Sequence, residues 1–189
     1  MGKHACQLQH CETYLMKKVP LLGFIGHSNS GKTTILTALI AALNAQGLKV
    51  GAVKHHHRSF NIDHEGKDSH RFTLAGAQKT IITGPQQTAL VEKTREQSSL
   101  DELAVNYLQD LDLILVEGFK KSSIPKIEVQ RQALDLPLLS RGEHHDSNLI
   151  AVISDDPQSL DVPLFEPQDI AAINIFICKY FTLSPTPQP

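Results

Sequence analysis

A chain of 189 residues is long enough to bury one substantial core and short for two. Hydrophobic residues make up 41% and charged residues 20%, the balance of a soluble globular domain. A formal net charge of -2, no Trp and only 5% aromatics argue against a non-specific nucleic-acid binder, and no apolar run reaches the ~20 residues that cross a bilayer.

Residues 1–18 read as a flexible, polar extension. They lack the apolar stretch of a secretory signal, so the expected compartment is the cytoplasm. Cys6, Cys11 and Cys178 cannot all pair within one chain, which suits a reducing environment. His4, Cys6, His10 and Cys11 are all potential metal ligands. The C-x4-C spacing has no second ligand pair at zinc-finger distance, however, and a loose extension is the preferred reading.

From residue 19 the pattern alternates. Pro20–Ile25 is a short apolar run with the look of a buried strand. Over Thr33–Ala45, Leu36, Leu39, Ile40 and Leu43 recur at helical spacing, and Gly47 offers a C-cap. Leu48–Val53 predicts a second strand, Lys54–Ser69 a polar loop rich in His and Asp, and Ser69–Ala75 a short helix. Gln78–Thr83 and Thr88–Lys93 flank Gly84-Pro85 and predict a β-hairpin with a four-residue loop. Leu100–Leu108 is an amphipathic helix capped by Ser98 or Ser99. Leu111–Val116 is the most apolar run and is expected to be a central strand, with Asp112 a structural residue early in it. Ile127–Gln130, Leu149–Ser154 and Val162–Phe165 predict three further strands, and Pro167–Phe181 a final helix. Residues 183–189 read as a flexible tail, leaving a single domain over residues 19–182. The expected fold is α/β, a P-loop NTPase domain with a mostly parallel sheet, helices on both faces and an inserted hairpin.

Gly26-His27-Ser28-Asn29-Ser30-Gly31-Lys32-Thr33 satisfies G-x-x-x-x-G-K-[ST] at every fixed position, between an apolar strand and an amphipathic helix. Gly26 and Gly31 let the backbone curl so that successive N–H groups, including those of Ser28, Asn29 and Ser30, converge on phosphate oxygens. The helix that starts near Lys32 directs the positive end of its dipole to the same point. Lys32 can reach the β- and γ-phosphates, and the Thr33 hydroxyl can ligate Mg²⁺. Such a loop needs a carboxylate at the end of a neighbouring strand, and Glu117 is the one directly following an apolar strand. Asp63 and Asp68, in the polar segment after the second strand, are the other candidates for the metal side. The catalytic candidates are therefore Lys32, Glu117 and Asp63, and the metal candidates Thr33, Asp63 and Glu117. His55-His56-His57, with His64 and His70 beyond, raise a metal-storage reading. Adjacent histidines on an extended segment alternate sides, so a polar active-site loop is preferred.

Lys54-His55-His56-His57, Asp63, Gly66-Lys67-Asp68-Ser69, Ala75-Gly76-Ala77 and Leu113-Ile114-Leu115-Val116-Glu117-Gly118-Phe119-Lys120 together resemble the MobB family of molybdopterin-guanine dinucleotide biosynthesis adapter proteins. The resemblance spans about Val19 to Ile173, and the GKDSxR and VEGFK pieces are more specific than the phosphate loop. It implies a GTP-binding, homodimeric protein with weak GTPase activity. Such a protein works beside the guanylyltransferase that attaches GMP to the molybdenum cofactor. By the same resemblance Gly31, Lys32, Thr33 and Thr34 bind triphosphate and metal, and Asp63 and Glu117 flank Mg²⁺. Lys67, Asp68, Arg71, Lys120, Lys126 and Arg131 are then candidates for a molybdopterin ligand or a partner. The chain has no Asn/Thr-Lys-x-Asp guanine-reading segment, and Asp155 occupies a place where a base-reading carboxylate can sit. A small-molecule kinase or ligase, or a metal-delivery GTPase, remains as an alternative. The chain lacks the arginine-bearing lid of the first and the glycine-rich pyrophosphorylase fingerprint of a transferase.

Overall fold

The protein is described by a computed structural model over residues 18–56, 58–142, 145–184 and 186. The extension up to residue 17, His57, His144 and most of the tail lie outside the described residues, as do Cys6 and Cys11. In chain order the elements are β1 (Leu21–Ile25), α1 (Lys32–Ala45), β2 (Val50–Lys54), α2 (Asp68–Leu74), β3 (Lys79–Thr83) and β4 (Thr88–Glu92). There follow α3 (Leu100–Tyr107), β5 (Leu113–Glu117), β6 (Lys126–Val129), a 3-10 turn (Gln132–Leu134), β7 (Leu149–Ile153), β8 (Leu164–Phe165) and α4 (Ile170–Tyr180).

Six strands form one sheet in the order β2-β5-β1-β6-β7-β8, parallel throughout. Both faces are covered, which is why β1 and most of β5 read as unbroken apolar runs. Leu22, Phe24, Leu113, Leu115, Ile127 and Val129 face α1 and α4. Leu21, Ile114 and Val116 face Leu100 and Ala104 of α3. The helix α3 begins in a complete capping box, the Ser99 side chain accepting from Glu102 N while Glu102 takes the Ser99 N–H.

Most element boundaries differ from the sequence reading by one to three residues, for local reasons. The Asp112 carboxylate accepts the Lys49 N–H at 2.8 Å, and Asp112 N returns a bond to Lys49 O. That clamp takes Leu48, Lys49, Leu111 and Asp112 out of the predicted strands and gives Asp112 the structural role expected of it. Pro163 has no N–H to donate, and β8 shrinks to Leu164–Phe165. Asp169 caps α4 by accepting Ala172 N at 3.0 Å, so the last helix starts three residues later than Pro167.

Two buried charges on β6 tie the connecting segments to the sheet. Lys126 is 1% exposed, and its ammonium bonds to Ser122 O at 2.5 Å and to Asp146 Oδ2 at 2.8 Å. Glu128 is equally buried and accepts from Leu139 N at 2.7 Å and from both the backbone and the hydroxyl of Ser140. The β3–β4 hairpin is a separate two-stranded sheet. It joins the rest through α2, where the Thr73 and Thr80 hydroxyls meet at 3.2 Å, and through a bond from the Tyr107 hydroxyl to Glu92. Phe72, Leu74, Ile81, Ile82 and Leu90 on this unit are all exposed.

Candidate functional site at the phosphate loop

The loop between β1 and α1 lies at the C-terminal ends of the central strands, between the ends of β5 and β6. Its shape depends on positive φ angles at Gly26 (142), Asn29 (64) and Gly31 (93). At Gly26 the glycine is required twice over. A Cβ there would lie 2.2 Å from the Val129 carbonyl oxygen, in a backbone conformation that side chains seldom adopt. Ser30 is buried and its N–H closes a turn on His27 O at 3.3 Å, while Ser28 and Asn29 stand exposed at the tip. His27 Nε2 bonds to Pro137 O at 3.0 Å and links the loop to the segment after β6.

Lys32 opens α1 and folds back over the loop. Its ammonium donates to Gly26 O at 3.2 Å, His27 O at 2.6 Å and Ser30 Oγ at 3.3 Å. Burial pushes the ammonium below the usual lysine range. The charge of Glu117 opposes that shift, whereas Lys120 and Lys54 add to it. Three lysines therefore share one electrostatic neighbourhood, a balance that a polyanionic ligand would relieve.

Glu117 stands where the sequence places it, at the end of β5 beside β1 and β2. Oε2 accepts from Thr33 Oγ1 at 3.3 Å, and Oε1 pairs with Lys54 Nζ at 3.3 Å. Gly118 follows with φ 102, and a Cβ there would meet His55 Cβ at 2.8 Å. His55 in turn lies against the Phe119 ring, with centroids 4.5 Å apart. Thr34 is exposed on the first turn of α1, with its carbonyl accepting from the Thr37 hydroxyl at 2.9 Å. Lys54 was not singled out by the sequence reading as a partner of Glu117. Its position at the end of the strand next to β5 was the available signal.

Asp63 Oδ1 accepts from His64 N at 2.9 Å and Ser69 Oγ at 3.0 Å, bracing the entrance to α2. Its Oδ2 is buried without a hydrogen-bond partner among the described residues. The Thr33 hydroxyl and the Glu117 carboxylate, in contact at 3.3 Å, are oxygen donors of the kind Mg²⁺ takes, whereas the bonds of Asp63 tie it to the entrance of α2, where Oδ2 is a further carboxylate oxygen. Among the described residues, which include His55, His56, His64 and His70 but not His57, no three His, Cys, Asp or Glu side chains gather as a ready-made metal site.

The other candidates separate by surroundings. Asp68 and Arg71 pair with each other at 3.5 Å on exposed α2, and Lys67 is the residue before that helix. Lys126, one of the candidates for a molybdopterin ligand or a partner, is instead sealed against Asp146: a correction, caused by its inward position on a strand covered on both faces. Asp155 Oδ1 is engaged by the Gln132 N–H at 2.7 Å. Beside it lies a cavity of about 380 Å³ lined by Gln130, Arg131, Gln132, Leu136, Pro137 and Asp156, with Asp135 completing the wall. A larger cleft of about 790 Å³ is lined by Leu21, Leu100, Phe119 and Ile124 together with Lys120 and Lys121. No helix among the described residues is long and apolar enough to cross a membrane.

The model for molybdopterin guanine dinucleotide synthesis protein B matches residues 21–155. The molybdopterin-guanine dinucleotide biosynthesis adapter protein of Escherichia coli is 40% identical over 167 residues, covering 86% of this chain and 93% of that one. The protein of the same description from Haemophilus influenzae is 39% identical, covering 87% and 90%. Among solved structures, the Bacillus subtilis MobB crystal structure superposes with a TM-score of 0.67 at 27% identity, covering 85% of this chain and 97% of that one. A MobB homologue from Bacillus stearothermophilus superposes with a TM-score of 0.65 at 27% identity, covering 87% and 99%. The family model covers most of the chain and the relatives match over nearly their whole length, and the chain belongs to the MobB family of molybdopterin-guanine dinucleotide biosynthesis adapter proteins.

Proposed function

We propose that this adapter binds GTP with Mg²⁺ on the Gly26–Thr33 loop, hydrolyses it slowly, and acts as a homodimer beside the guanylyltransferase that attaches GMP to the molybdenum cofactor. The observation that carries the nucleotide reading is the Lys32 ammonium, held over the loop by Gly26 O, His27 O and Ser30 Oγ in the electrostatic company of Lys54 and Lys120. A triphosphate takes over those contacts with oxygens that carry charge themselves, which adds the attraction of opposite charges to bonds that so far have an ionised donor alone. Ser28, Asn29, Ser30 and Gly31 contribute backbone N–H groups, and Thr33 and Thr34 the first turn of the helix. Bound Mg²⁺ would neutralise charge on the phosphate oxygens, with Thr33, Glu117 and Asp63 as the residues that would hold it or its waters.

Slow turnover follows from the state of Glu117. Its two oxygens are shared between Thr33 and Lys54, so the carboxylate is engaged in orientation rather than free to take a proton. The cleft lined in part by Lys120 and Lys121 supports an anionic, ring-bearing ligand such as molybdopterin. Exposed Ile81 and Leu90, cross-strand partners on one face of the hairpin, support the dimer, because pairing across a two-fold axis covers the same patch twice. A cytoplasmic location is part of the same proposal, with Cys178 a free thiol among the described residues. Lys32→Ala is the test of the nucleotide reading. It is expected to abolish GTP binding in calorimetry with Mg²⁺ present while the melting temperature stays within a few degrees, and undiminished affinity would remove the loop from the mechanism.

A further inference from the structure

The cavity after β6 adjoins the phosphate loop on two sides. Pro137, one of its walls, accepts the bond from His27 at 3.0 Å, and Gln130, another, follows Val129, whose carbonyl oxygen presses on Gly26. A volume of about 380 Å³ lies within the usual ~300–1,000 Å³ range of small-ligand sites. It therefore stands where a nucleoside attached to the bound phosphates can lie.

Its polar groups are not equivalent. The Gln130 amide is committed, its oxygen accepting from Ser154 Oγ at 3.3 Å and Gln158 Nε2 at 2.6 Å, and its nitrogen donating to Leu136 O at 3.0 Å. Asp155 is exposed, does not line the cavity and holds the Gln132 N–H at 2.7 Å. Asp156 does line it. Its N–H is fixed on Ser154 Oγ at 3.0 Å, and among the described residues only Oδ1 has a hydrogen-bond neighbour, the Gln132 amide at 3.4 Å. Leu136, 42% exposed, supplies an apolar wall, and the planar guanidinium group of Arg131 a surface against which a ring can stack.

Resting on the nucleotide-binding reading above, we propose that this cavity receives the base and that Asp156, rather than Asp155, selects guanine. Guanine presents N1–H and the 2-amino group side by side, two donors that one carboxylate can accept together. Adenine presents the lone pair of N1 on the same edge, and a carboxylate facing it gains no bond. Asp155 is then a positioning residue that holds the Gln132 turn against the cavity.

The test measures binding of GTP, ITP, XTP and ATP, each with Mg²⁺, to the full chain and to Asp156→Asn and Asp155→Asn. The unmodified protein is expected to bind GTP at least tenfold more tightly than ATP, with ITP between them for want of the 2-amino group. Asp156→Asn is expected to lose GTP affinity by roughly ten- to a hundredfold and to gain XTP, whose 2-oxygen accepts from the new amide. The XTP gain cannot come from a misfolded variant. Asp155→Asn should weaken all bases to a similar degree. Unchanged GTP affinity in Asp156→Asn without an XTP gain, or an XTP gain in Asp155→Asn instead, would overturn the assignment while leaving the nucleotide reading in place. Failure of the unmodified protein to bind any triphosphate would overturn both.

Discussion

Replacing Asp146 by Ala should be far more costly than replacing Lys126 by Met, although the two residues form one ion pair. The ammonium of Lys126 is 1% exposed, while the Asp146 side chain retains 22% exposure. Removing the carboxylate leaves a buried cation whose sole described partner is Ser122 O. Breaking a buried pair in this way costs about 3–5 kcal/mol, and the partial exposure of Asp146 points to the lower end, about 3 kcal/mol. For a chain of this length that is roughly 6–12 °C in melting temperature. Lys126→Met keeps the aliphatic stem against Ile124 and β1 and removes the charge. Asp146 then still accepts from Asn148 N at 2.9 Å and Asn148 Nδ2 at 3.1 Å, with access to water. The expected loss is about 1 kcal/mol. Burial by itself raises the Asp146 carboxyl, but the bonds from Lys126 and Asn148 outweigh it and hold it below the usual carboxylate range. A depressed folded value means that this stabilisation is complete above the unfolded value of about 3.9 and is lost as pH falls through the folded one. Urea unfolding of both single variants and the double variant, at pH 7 and pH 3, measures the coupling directly. Equal losses for the two single variants, or a melting temperature for Asp146→Ala within a degree of the unmodified protein, would refute the reasoning.

Two further outcomes bear on the site and the assembly. Glu117→Gln preserves size and hydrogen bonding but removes the charge shared by Thr33 and Lys54, so Mg²⁺-dependent GTP hydrolysis should fall at least tenfold while GTP affinity changes less; equal steady-state rates would leave Glu117 without a role in turnover. Leu90→Lys puts a charge on the apolar face of the hairpin and should shift a dimeric protein towards monomer in light scattering at micromolar concentration, whereas a monomeric unmodified protein, or a variant that stays dimeric, would remove the hairpin from the interface.

Period and punctuation in the sequence reveal the strands and helices because the parallel sheet demands them. A strand covered on both faces must be apolar at nearly every position, as at Leu113–Val116, and a helix against it must carry a stripe, as at Leu36, Leu39 and Leu43. The glycine-bearing turn between β1 and α1 is legible because its backbone fixes residue types at fixed spacing, as at Gly26 and Gly31, and the place of Glu117 because β5 ends there. Contacts between segments distant in the chain leave no such trace. Lys126 and Glu128 look like alternating surface charges on a strand, and their burial depends on Asp146, Leu139 and Ser140 arriving from a connection without periodicity. Asp155 and Asp156 are indistinguishable as letters; only the bond from Gln132 N separates a committed carboxylate from one facing a cavity.

The hairpin standing apart from the main sheet has a consequence for local opening. Its ladder joins neighbours in the chain, from Thr83↔Thr88 out to Lys79↔Glu92, whereas β1 and β5 are joined by partners as remote as Leu21 and Ile114. Closing the first costs little loop entropy and needs no other strand, so the hairpin can form early and part again without disturbing the central strands. The amides of β3 and β4 are therefore expected to exchange with solvent through a low-energy excursion of their own, and those of β1 and β5 only on global unfolding, an order that hydrogen exchange followed by mass spectrometry reads directly. A surface that opens by itself can reshape against a partner at little expense to the Gly26–Thr33 loop, which is anchored on Val129 and Pro137 at the far side of β1 from β5 and β2.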